Sequence, residues 1–378
     1  MKNIFFLMIF VFFFSCQKGK KLSLEGNWRF DTIVSYDKSM NINSFTENGI
    51  ASHFNFSIKN DSVINFNKGF FKSLTLMDSY SENPTRLRAT YYLGTETNFY
   101  LKDSLLIYYD RSINKNDTIK VLKINPNELL ISTKDNLVLR LVNKVNKYFD
   151  NSKYDAVVIN RSPCYGYCPF NYTYLDRDGN FYFNNLGYNT TKSDIATQLN
   201  KNKTNKLFKI IDKIDFENLE DNYFLGATDS QTNTISFFKN GKIIKTISTY
   251  IKCPIELKEV INELSFAYQN VPDEKDYESI LGNDETFGFQ FTNSNLRLLS
   301  SEADFLEIEL SRAKKVAVDF ESKYEIDPGY YGSEKKYKKI FTDGRYYKFI
   351  LQDNSSFVID LEYNFVTKNP ILKKDRIF

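Results

Sequence analysis

The segment Cys164-Tyr165-Gly166-Tyr167-Cys168-Pro169, running on into Phe170-Asn171-Tyr172-Thr173-Tyr174, decides how the middle of the chain is read. Gly166 is free to take a positive φ, and Pro163 and Pro169 restrict the backbone on either side. A tight loop can therefore bring the Cβ atoms of Cys164 and Cys168 to disulfide distance. So small a ring contributes about 2 kcal/mol through chain entropy. The competing reading is a thiol redox centre, whose usual form has two residues between the cysteines and a helix starting at the first. Here three residues intervene, and the alternation of Phe170, Tyr172 and Tyr174 predicts a strand instead. A zinc site would need further Cys or His ligands; once Cys16 is set aside, only Cys253 and His53 remain.

Around this loop, residues 155–159 read as an apolar strand, and Asp176-Arg177-Asp178-Gly179 joins two more strands in a hairpin. The aspartates also suggest a calcium loop, but the glycine falls too early and no glutamate follows at the right spacing. Leu207, Ile210, Ile211 and Ile214 recur at helical spacing, and strands at 234–238 and 243–248 flank an Asn240-Gly241 turn. Pro254 opens a second helix carrying Leu257, Val260, Ile261, Leu264 and Tyr268 on one side. Residues 150–270 are thus expected to form an α+β domain. Cys253, at that helix start, reads either as a reactive thiol or as a buried cysteine.

Residues 154 to 268 resemble an uncharacterised bacterial family, a domain of unknown function marked by Cys-x-Gly-x-Cys-Pro, a strand, a Gly-Asp-Gly-like turn and a second strand. The matching positions are Cys164, Gly166, Cys168, Pro169, Asp178 and Gly179. Asn171 and Arg177 stand where members usually carry tyrosine and glycine. The resemblance implies an envelope lipoprotein module and implies no catalytic residues.

The chain has 378 residues, 42% of them hydrophobic, which predicts two or three domains with real cores. Its net charge of +3, from 50 basic and 47 acidic residues, gives no drive toward nucleic acid. Lys, Asn, Ile, Phe and Tyr are all favoured by AT-rich codons, so the 16% aromatic content is not read as a binding surface. The apolar run 4–14 is too short to span a bilayer but suits the core of a signal peptide over 1–15. Ser15-Cys16 resembles the bacterial lipobox, with Phe13 at the usual leucine position. That resemblance implies that Cys16 becomes the mature N-terminus and carries acyl chains, more than one being needed for stable anchoring. A cleaved secretory signal with an incidental Cys16 is the alternative, and both export the chain. Residues 16–21 form a polar tether without an acidic residue after Cys16, which points to the periplasmic side of an outer membrane. An oxidising compartment is where a Cys164–Cys168 bridge persists.

Residues 22–146 read as short strands at 28–36, 52–58, 62–66, 85–93, 98–101, 104–109, 118–124, 128–132 and 137–142. Asn and Asp supply the turns where glycine is scarce. Closely spaced strands without helices predict an antiparallel barrel or sandwich. Gly26-x-Trp28 resembles the opening of lipocalin-like barrels, in which an arginine, here Arg140, packs against the tryptophan. The resemblance implies either a pocket for a small apolar ligand or a barrel filled by its own side chains.

After a charged linker at 271–276, residues 277–378 are expected to form a small C-terminal module. Ser301 and Asp304 suit a helix cap, yet Leu306, Ile308 and Leu310 alternate as in a strand. Residues 345–351 and 356–361 predict a hairpin around Asp353-Asn354. Lys335, Lys336, Lys338 and Lys339 with Tyr337 read as a solvated strand edge or as a patch for anionic lipid or glycan. One histidine, no phosphate-cradling loop and no dinucleotide fingerprint leave the common catalytic sets, metal sites and cofactor motifs unassembled. The expectation is a mainly β chain with α+β parts: a lipid-anchored envelope protein that binds an apolar ligand or a protein partner. A thiol-disulfide oxidoreductase using Cys164 and Cys168, or a structural scaffold, are the alternatives.

Overall fold

The computed structural model describes residues 23–36, 42–77, 86–145, 147, 149, 153–191, 194–226, 229–271, 290–327 and 337–373. The signal peptide, Cys16, the tether, Lys335, Lys336 and all of the linker but Val271 lie outside those residues.

The first strands are β1 (Gly26–Ser35), β2 (Phe56–Ile58), β3 (Val63–Phe66), β4 (Phe71–Met77), β5 (Arg86–Tyr92), β6 (Glu96–Lys102), β7 (Leu105–Asp110), β8 (Lys115–Ile124), β9 (Glu128–Ser132) and β10 (Val138–Asn143). Eight close an antiparallel barrel in the order β1-β10-β9-β8-β7-β6-β3-β2, while β4 and β5 form a separate ribbon. The period-two pattern dictates which side chains point inward: Leu129, Ile131, Leu139 and Leu141 are fully buried. Trp28, Phe56, Phe66 and Phe70 complete a barrel filled by its own side chains. Asp103, Asn114 and Asn136 take positive φ at the turns, as residues with short polar side chains can.

Two expectations for this region are corrected. Residues 44–53 form α1 (Ser44–His53), so His53 ends a helix and does not lie on a barrel strand. Asn43 caps that helix by accepting from the Thr46 N–H, and the alternation of Phe54, Phe56 and Ile58 belongs to a strand that starts only at Phe56. Arg140 does not pack on Trp28. Because Leu139 and Leu141 face inward, Arg140 faces outward and pairs with Asp31, while Trp28 is enclosed and donates its indole N–H to the Leu24 carbonyl at 2.8 Å.

The second unit contains β11 (Ala156–Arg161), β12 (Phe170–Asp176), β13 (Asn180–Gly187), β14 (Ile195–Gln198), α2 (Lys201–Ile211), β15 (Asn222–Phe224), β16 (Thr232–Lys239), β17 (Lys242–Tyr250) and α3 (Ile255–Ser265). Its strands form one sheet in the order β14-β13-β12-β11-β16-β17-β15, antiparallel except for the β15–β17 pair. Asn240 and Gly241 both take positive φ in the β16–β17 turn, the conformation a two-residue hairpin demands. Helices α2 and α3 bury their apolar stripes on one face. Phe71 and Tyr92 of the ribbon join the same core through Phe266.

The last elements are β18 (Gln290–Phe291), α4 (Ser300–Arg312), β19 (Lys314–Val316), β20 (Tyr324–Asp327), β21 (Tyr337–Thr342), β22 (Tyr346–Leu351), β23 (Ser356–Asp360) and α5 (Phe365–Lys368). Six strands form a third sheet, β18-β20-β21-β22-β23-β19. Helix α4 packs across β11, β12, β16 and β17 and shares one core with the third sheet. A helix covered on nearly every side has no solvent-facing polar stripe, which is why Leu306, Ile308 and Leu310 imitate strand alternation. Glu302 marks its start, accepting from the Leu299 N–H at 3.0 Å. Lys338 and Lys339 are likewise not on a sheet edge: β21 is flanked by β20 and β22, Lys339 pairs with Glu325 at 2.7 Å, and Tyr337 is buried in the core.

Candidate functional site

The clasp rises from the sheet between β11 and β12. Cys164 and Cys168 are joined in a disulfide, with Cα atoms 5.8 Å apart. Gly166 has φ of +146°, a value that L side chains rarely adopt, and its N–H donates to the Cys164 carbonyl at 2.9 Å. The Tyr165 N–H donates to the Asp229 carbonyl at 3.1 Å. The ring is thus closed covalently and braced by its own and neighbouring backbone.

Its base is fixed by Gln231. That amide donates to the Ser162 carbonyl at 2.6 Å and the Pro169 carbonyl at 2.8 Å, one on each leg of the loop. The Gln231 Oε1 accepts from Arg161 Nε and Nη2 at 3.1 and 2.7 Å. Arg161 in turn lies over the Phe266 ring at 5.1 Å. Burial pulls its guanidinium down to about 10, with Tyr268 opposing the shift. Behind it, Asn171 is fully buried and donates to Asn189 at 2.8 Å, and Asn189 donates to the Phe170 carbonyl at 2.9 Å. Asn171 and Asn189 thus form a buried polar seat for the clasp.

This rigid base presents two aromatic rings. Tyr165 is 88% exposed and Tyr167 53%. Tyr167 meets Tyr188 edge-on at 5.5 Å, and Arg88 of β5 lies over its ring at 4.8 Å. The Thr90 N–H of the same strand donates to the Tyr188 carbonyl at 3.3 Å, tying the ribbon to the clasp side of the sheet. Tyr165 has no comparable ring contact among the described residues.

The other candidate positions lie elsewhere. Asp178 and Gly179 sit at the far end of β12, where Asp176 accepts from the Asp178 and Asn180 N–H groups. That carboxylate is occupied in shaping a turn, and at Gly179 a Cβ would come within 2.6 Å of the Leu199 carbonyl. Gly26, Trp28 and Arg140 belong to the barrel. The chain after Cys168 enters β12, so no helix begins at the cysteines to draw down a thiolate. Burial pushes the Cys253 thiol up to about 12, against a pull from Lys258 and Thr249, which leaves it protonated at neutral pH. Arg88, Gln231, Arg161 and Tyr188 escape sequence reading because they meet the clasp only in the fold.

Residues 155–268 match a family described as a domain of unknown function, DUF6438. The matched stretch runs from just before β11 into the turn after α3, and so contains the clasp, the whole seven-stranded sheet, α2 and α3, but neither α4 nor the barrel. No curated protein and no solved structure matches the chain.

Proposed function

We propose that the protein is exported, anchored through an acylated Cys16, and acts in the cell envelope by binding a protein partner through the clasp. The observation that carries this reading is Tyr165, 88% exposed on a disulfide-closed ring. A tyrosine has only two side-chain torsions to lose on contact, and aromatic residues dominate the energetics of many interfaces. A disulfide persists in an oxidising compartment, in keeping with the signal-peptide-like run and the lipobox-like Ser15-Cys16. An apolar ligand within the barrel has less support, since Trp28, Phe56, Phe66 and their neighbours occupy its interior.

A photo-crosslinking residue placed at Tyr165 in cells tests the reading. A discrete adduct is expected that disappears when Cys164 and Cys168 are replaced by serine and is absent when the label is moved to Tyr36 on the barrel. The same adduct pattern from both positions, or none from Tyr165, overturns it. Mass spectrometry of the mature chain is expected to find acyl chains on Cys16.

A further inference from the structure

A second site lies away from the clasp, where the outer surface of the barrel meets α3. A cavity of about 220 Å³ opens there, lined by Arg29, Asn48, Ser52, Lys144, Cys253 and Lys258 among others. Its charges do not cancel. Arg29 is compensated by Glu256 at 3.2 Å and donates to Asn67 at 2.6 Å. Neither Lys144 nor Lys258 has a carboxylate within ion-pair distance among the described residues. Lys258 is half-buried, and burial lowers its ammonium. Nearby, burial also lowers Lys68, against the pull of Asp110 and Asp117, and His53 is lowered by burial and by the charges of Lys68 and Lys258. A cationic group drawn partly out of water with no counter-charge, as Lys258 is, is costly, and proteins retain such groups where a ligand supplies the missing charge. The first turn of α3, which follows Pro254 without a side-chain cap, lines the same cavity through Ile255, Glu256 and Lys258.

We propose that this cavity binds a small oxyanion, a phosphate group either free or on a lipid headgroup, through Lys258 and Lys144. Arg29, already neutralised by Glu256, shapes the wall. The site is independent of the clasp and of any partner bound there.

Titration of the full chain with inorganic phosphate, against sodium chloride at matched ionic strength, tests the proposal by calorimetry and thermal unfolding. Phosphate is expected to bind and to raise the unfolding midpoint, and Lys258→Met to weaken that binding about tenfold or more, as loss of a charge-assisted contact implies. In phosphate-free buffer the same variant should be at least as stable as the parent, since it removes an uncompensated charge; a lysine with a merely structural role would give the opposite. Lys144→Gln, at an exposed position, should weaken binding without affecting folding, and decides the matter if Lys258→Met does not fold. Lys102→Gln, on the far barrel turn, should change nothing. Vesicles of phosphatidylglycerol form the second arm: retention on them in the parent but not in Lys144→Gln, with no response to free phosphate, assigns the headgroup as the source. A phosphate response no larger than that of chloride together with no such retention, or responses that survive both substitutions, overturns the proposal.

Discussion

The two faces of the seven-stranded sheet are built on opposite principles. The face under α2 and α3 is apolar: Val157, Ile159, Phe181, Phe183, Ile235 and Phe237 are fully buried against Leu207, Ile211, Leu257 and Val260. The face under α4 mixes apolar contacts with a buried polar row. Asn160 donates to Asp304 at 2.8 Å, the Tyr172 hydroxyl to Glu307 at 3.0 Å and the Thr246 hydroxyl to Glu302 at 2.5 Å, while Ser236 and Ser301 share a hydrogen bond at 2.7 Å. An apolar face accepts any stripe of suitable shape, whereas a row of directional bonds accepts one helix in one position. The difference teaches that the matched domain is self-contained on one side only. Its second side is completed by a helix from outside residues 155–268.

The sharpest way to break that comparison is to excise residues 155–268. The fragment would expose Val158, Tyr172, Tyr174 and Phe238, and is expected to be insoluble or to bind a hydrophobic dye without a cooperative melt; a folded, soluble fragment would show that α4 is dispensable. Next comes Phe305→Ala. Phe305 stacks on Phe238 at 3.8 Å, and its loss should cost about 3–5 kcal/mol in denaturant unfolding, comparable to a large truncation on the α3 face. Reducing Cys164–Cys168, or replacing both by serine, should cost only about 2 kcal/mol, because the clasp lies at the end of the sheet and leaves both cores intact.

The smallest expected effect sharpens the contrast instead. Asp304 is fully buried beside Glu307, and its Oδ1 has no hydrogen-bond partner; burial first, and Glu307 second, hold its pKa well above the usual carboxylate range. The folded state therefore keeps a proton that the unfolded chain releases near pH 4. The stability contributed is complete below that pH and declines as pH rises through the raised folded value. Asp304→Asn should flatten this dependence and add about 1–2 kcal/mol at neutral pH, read from unfolding curves across pH. An unchanged pH slope would show that Asp304 is ionised in the fold. Removing Leu257 from the apolar face should leave that slope untouched.

Much of this architecture was legible wherever it is local. The Asn-Gly and Asp-Gly hairpins, the turn asparagines Asn114, Asn136 and Asn354, and the alternating strands of the barrel follow from residues a few positions apart. The disulfide pairing of Cys164 with Cys168 is local in the same sense. What escaped depends on distant partners. Gln231 reaches Arg161 across 70 positions and Asp304 reaches Asn160 across 144. Strand β4 and helix α1 were hidden for another reason. Neither shows a long apolar pattern of its own: the ribbon reaches a core through Phe71 and Tyr92, and α1 is held by its cap and by Ile50 against the barrel core.

The β4–β5 ribbon, finally, gives the molecule a fixed bearing. Tyr92 donates to Glu263 at 2.7 Å and stacks on Phe266, and Arg88 covers Tyr167, so a hairpin belonging to the barrel half is bolted to both α3 and the clasp. The loop that carries Tyr165 is therefore held from the ribbon side through its neighbour Tyr167. Whatever approaches the exposed ring meets a loop already oriented by the ribbon, and its footprint must accommodate Arg88 beside it.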